Sequence, residues 1–151
     1  MALDTGSDAP RIAASNQSGE RVEPDFRGAA VVYFYPRDDT PGCTTEARQF
    51  DDHYATYAEA GVAVYGVSTD GVDSHREFAA EHDLDFDLLS DPDGKIADAF
   101  DVPVEDGRAR RTTFVIANER VIGVYEGVHP DGHARDVLRD LAEIGLVEVE
   151  Q

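Results

Sequence analysis

Apolar residues recur along this chain with two periods. Residues 29–35, Ala-Ala-Val-Val-Tyr-Phe-Tyr, are apolar without a break over the length of one strand. A strand covered on both faces reads this way, so the run predicts a central strand. Residues 62–68 predict a second one. Between them Ala47, Phe50, Tyr54, Tyr57 and Ala58 recur at helical spacing, and Gly61 is placed to stop that helix.

The flanking signals complete the order. Residues 10–14 and 21–22 predict two short strands joined at Ser18-Gly19. Ser74-His75-Arg76-Glu77 has the form of a capping box and predicts a helix opening there, with Phe78 and Ala79 inward. Residues 86–89 predict a short strand, and Asp91-Pro92 the start of a short helix carrying Ile96, Ala99 and Phe100. Pro103 and Gly107 mark a loop. Residues 112–116 and 121–125 predict a hairpin around Asn118-Glu119. The last helix is predicted to start near Asp131. It places Ala134, Val137, Leu138, Leu141 and Ile144 on one face and ends at Gly145. This order predicts an α/β fold with a mixed central sheet and helices on both faces. With 151 residues and no repeat, low-complexity tract or linker, one domain over 1–151 is expected.

Charge changes the picture. The chain has 32 acidic residues against 13 basic ones, a formal net charge of −19, and Lys95 is its only lysine. Such a balance argues against nucleic acid and anionic membranes as partners. The acids are spread between periodic apolar residues, which suits a folded acidic surface better than a disordered tail. We read that surface as halophilic, an adaptation to high salt. Residues 1–10 lack a hydrophobic signal core, and the longest apolar run, 29–35, is too short to span a bilayer. A cytoplasmic location is therefore expected. Cys43 is the only cysteine, so no intrachain disulfide framework is possible.

The candidate chemistry lies between the first central strand and the helix behind it. Thr40 is placed as an N-cap, Pro41 suits the first helical position, and Cys43 falls at the third. Unpaired N–H groups at a helix start favour thiolate over thiol, and the thiolate is the nucleophile. A lone cysteine is ordinarily a small buried hydrophobe. The spacing around this one outweighs that reading: Pro36, Thr40 and Cys43 form P-x-x-x-T-x-x-C.

That spacing resembles the peroxidatic motif of the peroxiredoxins. The wider run F-Y-P-R-D-D-T-P-G-C-T-T-E-A resembles their bacterioferritin-comigratory, or Q-type, branch, and element order agrees along nearly the whole chain. The resemblance implies a thioredoxin-like fold of the peroxiredoxin variant, with the first short strands as its N-terminal extension. It implies an antioxidant, thiol-dependent peroxidase acting on hydrogen peroxide and small organic hydroperoxides. By resemblance Cys43 is the nucleophile and Pro36 shields it from water. Thr40 offers its hydroxyl to the site, caps the helix, or does both. Arg111, three residues before Phe114 in Arg-Thr-Thr-Phe-Val-Ile, matches the arginine that contacts sulfur and peroxide. Strand alternation sends Arg110 to the opposite face. Glu46 matches a glutamate that orients polar groups, its plainer role being a helix-start acid.

Neither cofactor nor metal is expected. No glycine-rich phosphate loop precedes a helix. His53, His75, His82, His129 and His133 form no zinc spacing with Cys43, and Gly132 interrupts the pair His129 and His133. One departure from the Q-type pattern matters. Many members carry a resolving cysteine five residues after the peroxidatic one, where this chain has Arg48. Given Cys43 as nucleophile, a 1-Cys mechanism follows, with an external reductant, either a small thiol or a thioredoxin-like protein, or with Cys43 of a second subunit as the resolving thiol. A monomer is expected. The same sulfenic acid suits a peroxide sensor or redox relay, and a redox-inert thioredoxin-like binding module is the third reading.

The acidic surface leads to a first prediction. Stability against urea rises from dilute buffer to molar KCl, because salt screens the self-repulsion. Equal stability in dilute buffer overturns the high-salt reading.

Overall fold

The computed structural model describes residues 3–143. Two short strands, β1 (Ala14–Ser15) and β2 (Arg21–Val22), pair with each other and precede β3 (Ala29–Phe34). The chain continues through α1 (Pro41–Asp52), α2 (Tyr54–Glu59), β4 (Val62–Ser68), α3 (Val72–His82), β5 (Asp87–Ser90) and α4 (Lys95–Ala99). A small hairpin, β6 (Val104–Glu105) and β7 (Arg108–Ala109), leads to β8 (Thr112–Ala117), β9 (Arg120–Glu126) and α5 (His133–Glu143).

The central sheet has the order β5-β4-β3-β8-β9. Strands β3, β4 and β5 are parallel, while β8 runs antiparallel to β3 and β9 antiparallel to β8. The sheet is mixed and thioredoxin-like, as expected. Its central strand is β3, whose apolar run alternates between two cores. Val31, Tyr33 and Tyr35 face one side, with Cys43, Ala47 and Phe50 of α1, Tyr57 of α2, Phe78 of α3 and Val137 of α5. Ala30, Val32 and Phe34 face the other, with Ile96 and Ala97 of α4, Phe100, Phe114 and the N-terminal residues Ile12 and Phe26. Burial on both faces explains the unbroken apolar run, and each large side chain so buried contributes about 1.5–3 kcal/mol.

Several boundaries differ from the sequence reading, each for a local reason. The helix expected to run to Gly61 breaks at His53, which joins α1 to α2, and Ala58 behind the break is exposed. Helix α3 starts at Val72 behind Gly71, so Ser74 lies inside it and caps nothing; its hydroxyl donates to Asp38. Helix α4 starts at Lys95, and Asp91 accepts from the backbone N–H groups of Ile96 and Ala97. Ala97 is therefore buried and Ala99 exposed. The expected loop near Gly107 holds the β6–β7 hairpin, turned by Asp106 and Gly107, both at positive φ. Of the expected strand 10–14 only its end is paired, in β1. Ile144 and Gly145 lie outside the described residues. Among the described residues no helix is long and apolar enough to cross a membrane.

Among the described glycines the least room for a side chain is at Gly66 of β4, beside the Tyr33 ring. A Cβ there meets Tyr33 Cζ and Oη and Leu88 Cδ2, each at 2.9 Å. Tyr33 itself is stacked on Phe50 with ring centroids 4.6 Å apart, so it cannot retreat freely. Overpacking of this kind costs about 1–3 kcal/mol. Gly66→Ala accordingly lowers the urea midpoint, and an unchanged midpoint contradicts the close approach.

Candidate active site

Sheet register brings together residues that are 68 positions apart. Phe34 at the end of β3 lies opposite Thr112 at the start of β8. Arg111, one residue earlier, stands beside the carboxyl end of β3, where the chain turns into α1. Its Nη2 donates to Cys43 Sγ at 3.4 Å and its Nη1 to Glu46 Oε1 at 2.6 Å. Cys43 and Glu46 are one helical turn apart on α1, so both present to the same guanidinium. All three are secluded: Cys43 is 1% exposed, the Glu46 side chain 0% and the Arg111 side chain 16%.

The electrostatics follow from one cation facing two potential anions. Burial works against the Arg111 charge, but Glu46 and Cys43 beside it raise its pKa above the ordinary value. Burial pushes the Glu46 carboxyl up to about 7 against the pull of Arg111. Its second oxygen, Oε2, has no hydrogen-bond partner among the described residues, and neither has the Tyr33 hydroxyl. Burial also drives Tyr33 well above its usual range, with the Glu46 and Cys43 charges adding to it. His133, 2.8 Å from the Thr113 hydroxyl, is lowered to about 4 by burial, with Arg111 adding to that effect. It is a neutral imidazole at pH 7.

The other expected residues fall into place unevenly. Thr40 occupies the N-cap position with extended backbone, and its carbonyl accepts the Thr44 N–H at 2.9 Å. Its hydroxyl caps nothing; it donates to the Arg37 carbonyl three residues back, at 3.0 Å. A short hydroxyl side chain commonly takes such a local carbonyl. The first ladder bond comes from Thr44, so the Cys43 N–H belongs to the unpaired first turn. Pro36 closes β3 and is half-buried. Arg110 points away to Glu105 at 2.8 Å, while Arg37, Arg48 and Arg108 are exposed.

Gly42 and Pro130 were not singled out in the sequence. A Cβ on Gly42 lies 3.3 Å from both Arg111 Nη2 and the Pro130 ring, so this glycine lets α1 approach the arginine. A glycine directly before the cysteine was the available signal. Gln49 ties α1 to the start of α5, accepting from the Gly132 N–H and donating to Asp131, both at 2.7 Å. A concavity of about 410 Å³ beside Arg111 is lined by Pro103, Arg110, Arg111, Glu126, Gly127 and Val128. A larger one of about 800 Å³ lies on the N-terminal segment and shares no residue with the site.

Residues 5–124 match the family model described as AhpC/TSA family. The chain belongs to the AhpC/TSA family. It is 39% identical over 148 residues to a putative peroxiredoxin bcp of Coxiella burnetii, covering 91% of this chain and 98% of that one. It is 37% identical over 154 residues to the peroxiredoxin Bcp of Bacillus subtilis, covering 95% and 98%. The crystal structure of peroxidoxin BcpB from Mycobacterium tuberculosis superposes with a TM-score of 0.86 at 34% identity, covering 94% of this chain and 98% of that one. This chain is thus a Q-type peroxiredoxin and a thiol-dependent peroxidase.

The Glu46 shift gives a pH prediction for this peroxiredoxin. Between the ordinary value of 4.5 and about 7, folded Glu46 holds a proton that the unfolded chain has released. That contribution to stability is complete below 4.5 and is lost as pH rises through 7. Urea midpoints from pH 5 to 9 at fixed salt therefore fall more steeply for wild type than for Glu46→Gln, which has no proton to lose. A constant difference between the two contradicts the buried, protonated carboxyl.

Proposed function

We propose that Cys43 is the peroxidatic thiol and that this chain works by a 1-Cys mechanism. One observation carries the reading: the Arg111 guanidinium reaches the Cys43 sulfur at the start of α1 while Glu46 holds its other arm. The thiolate attacks one oxygen of ROOH. The S–O bond forms as the O–O bond breaks, leaving sulfenic acid on Cys43 and RO⁻, which takes up a proton. Arg111 and the free N–H of Cys43 stabilise the developing charge on the oxygens. Thr40 contributes from the N-cap position, and Pro36 shields the sulfur at the end of β3. Glu46 orients the guanidinium.

The chain has no other cysteine, so the sulfenic acid is resolved from outside. One thiol displaces water to give a mixed disulfide, and a second releases Cys43 and leaves as the external disulfide. Hydrogen peroxide and small organic hydroperoxides are the substrates. The concavity beside Arg111, with Pro103 and Val128 in its wall, has room for a small organic group. The reductant is a small thiol or a thioredoxin-like protein. The peroxidase acts as a monomer in the cytoplasm, with its acidic surface suited to high salt.

The test is intact mass after one equivalent of hydrogen peroxide, with and without a sulfenic-acid trap, on wild type and Cys43→Ser. Wild type acquires the trap within seconds and Cys43→Ser does not. A thiol left unmodified for many minutes rejects the peroxidase and the sensor alike and leaves the inert module. Steady turnover with an added thiol then separates the scavenger from the relay.

A further inference from the structure

Behind the turn that delivers Cys43 lies a buried polar cluster that the reaction does not use. Asp38, two residues before Thr40, receives three donors on its carboxylate. The Tyr35 hydroxyl donates to Oδ1 at 2.7 Å and the Ser74 hydroxyl to Oδ2 at 2.8 Å. His75 Nδ1 stands 2.7 Å from the same Oδ2. His75 is fully buried, and its Nε2 lies 3.2 Å from the Leu89 carbonyl. Each ring nitrogen thus faces an oxygen of the cluster or of β5. The Asp38 backbone is held as well. Its N–H donates to Asp70 Oδ2 at 2.6 Å, and that oxygen also accepts from the Ser68 hydroxyl at 2.9 Å. The turns after β3 and β4, the start of α3 and the end of β5 thus meet around one carboxylate.

Burial of such a pair carries a large desolvation cost, which only close, fully hydrogen-bonded geometry offsets. Burial pushes the Asp38 carboxyl up, yet the hydrogen bond and charge of His75, with Tyr35 and Ser74, leave it below the ordinary value. The turn has something to hold. Asp39, between Asp38 and Thr40, sits at φ 62, in the left-handed region that non-glycine residues enter at a cost. Asp38, Asp70 and His75 lie close enough to share a cation. Their donor atoms are already taken up by one another and by the Tyr35, Ser68 and Ser74 hydroxyls, so the hydrogen-bonded cluster stands without one.

We propose that the Asp38–His75 pair is a clamp that holds the strained turn through Asp39, so that Thr40 heads α1 and the Cys43 N–H faces the incoming peroxide. Its chemical consequence rests on the reading of Cys43 as peroxidatic; its structural part rests on the turn alone. Asp38 and His75 are positioning residues. Peroxide reduction needs aligned donors as well as a thiolate, whereas alkylation of the thiolate does not. Loss of the clamp therefore slows the first more than the second.

The experiment compares His75→Phe with His75→Asn, whose side-chain amide can replace the Nδ1 donor. Three quantities are read on the full chain: amide hydrogen exchange across residues 37–46, the second-order rate with hydrogen peroxide, and the rate of Cys43 alkylation by iodoacetamide. In His75→Phe exchange rises and the peroxide rate falls, each about tenfold, while alkylation stays within about threefold of wild type. His75→Asn recovers most of both losses. A folded His75→Phe with wild-type exchange and peroxide rate overturns the clamp, and so do equal losses of peroxide and alkylation rates. If His75→Phe does not fold, Tyr35→Phe and Ser74→Ala each remove one donor to Asp38, and unchanged exchange in both overturns it. An inert wild-type Cys43 rejects the peroxidase reading, while the exchange comparison still decides the clamp.

Discussion

A buried guanidinium must have anions close by, and in this chain Arg111 has two candidates, the Cys43 sulfur and the Glu46 carboxylate. Removing an ion from water costs several kcal/mol, so a site like this stands only where the partners are held in close, well-aligned geometry. Much of the surrounding structure supplies that fixity. The β3–β8 register sets where Arg111 emerges, and α1 sets Cys43 and Glu46 one turn apart. Gly42 admits the arginine, and Gln49 ties α1 to the head of α5. With a full positive charge on the arginine, the site favours one negative charge nearby. The raised Glu46 carboxyl is the expression of its burial, which outweighs the pull of Arg111.

The chain's own pattern revealed much of this site, for identifiable reasons. The β3 run was legible because both of its faces are buried. Cys43 was legible because Pro36, Thr40 and Pro41 are local signals, each acting within a few residues. Arg111 was not separable from Arg110 by composition; resemblance selected it, and the two side chains take different partners, Glu105 for Arg110 and Glu46 for Arg111, from a segment between β7 and β8 that belongs to neither strand. What stayed hidden depends on contacts between distant residues. Ser74 reads as a cap, but its hydroxyl is claimed by Asp38, 36 positions earlier. The break at His53 interrupts a run of helical spacing that continues on both sides. The β6–β7 hairpin shows only an Asp-Gly turn, since its two-residue arms have no room for an alternating pattern.

Site and clamp divide the work on the turn between β3 and α1. Arg111 approaches it from the antiparallel side of the sheet, through β8. Asp38 and His75 hold it from the parallel side, through β4, α3 and β5. The turn is therefore fastened at both flanks while Asp39 between them is strained. In a peroxidase with a resolving cysteine in the same helix, the helix must open to bring the two sulfurs together. Here position 48 is an exposed arginine, and nothing within the chain requires that opening. A rigid turn is then compatible with the whole proposed cycle, because the reductant comes to the sulfur.

Surface charge bears on the two halves of that cycle differently. A peroxide is neutral, so the field of a chain with net charge −19 neither attracts nor repels it to first order. A thiol attacks as its thiolate, and an anion approaching this surface is opposed by the same field. The opposition is strong in dilute buffer and weak at molar salt, where the Debye length is about 3 Å. In the proposed cycle the oxidative half is thus governed by the buried geometry of Arg111 and Cys43, while the reductive half depends on ionic strength. The two halves have separate physical controls: the first is set by the fold, the second by the solvent in which the acidic surface is screened.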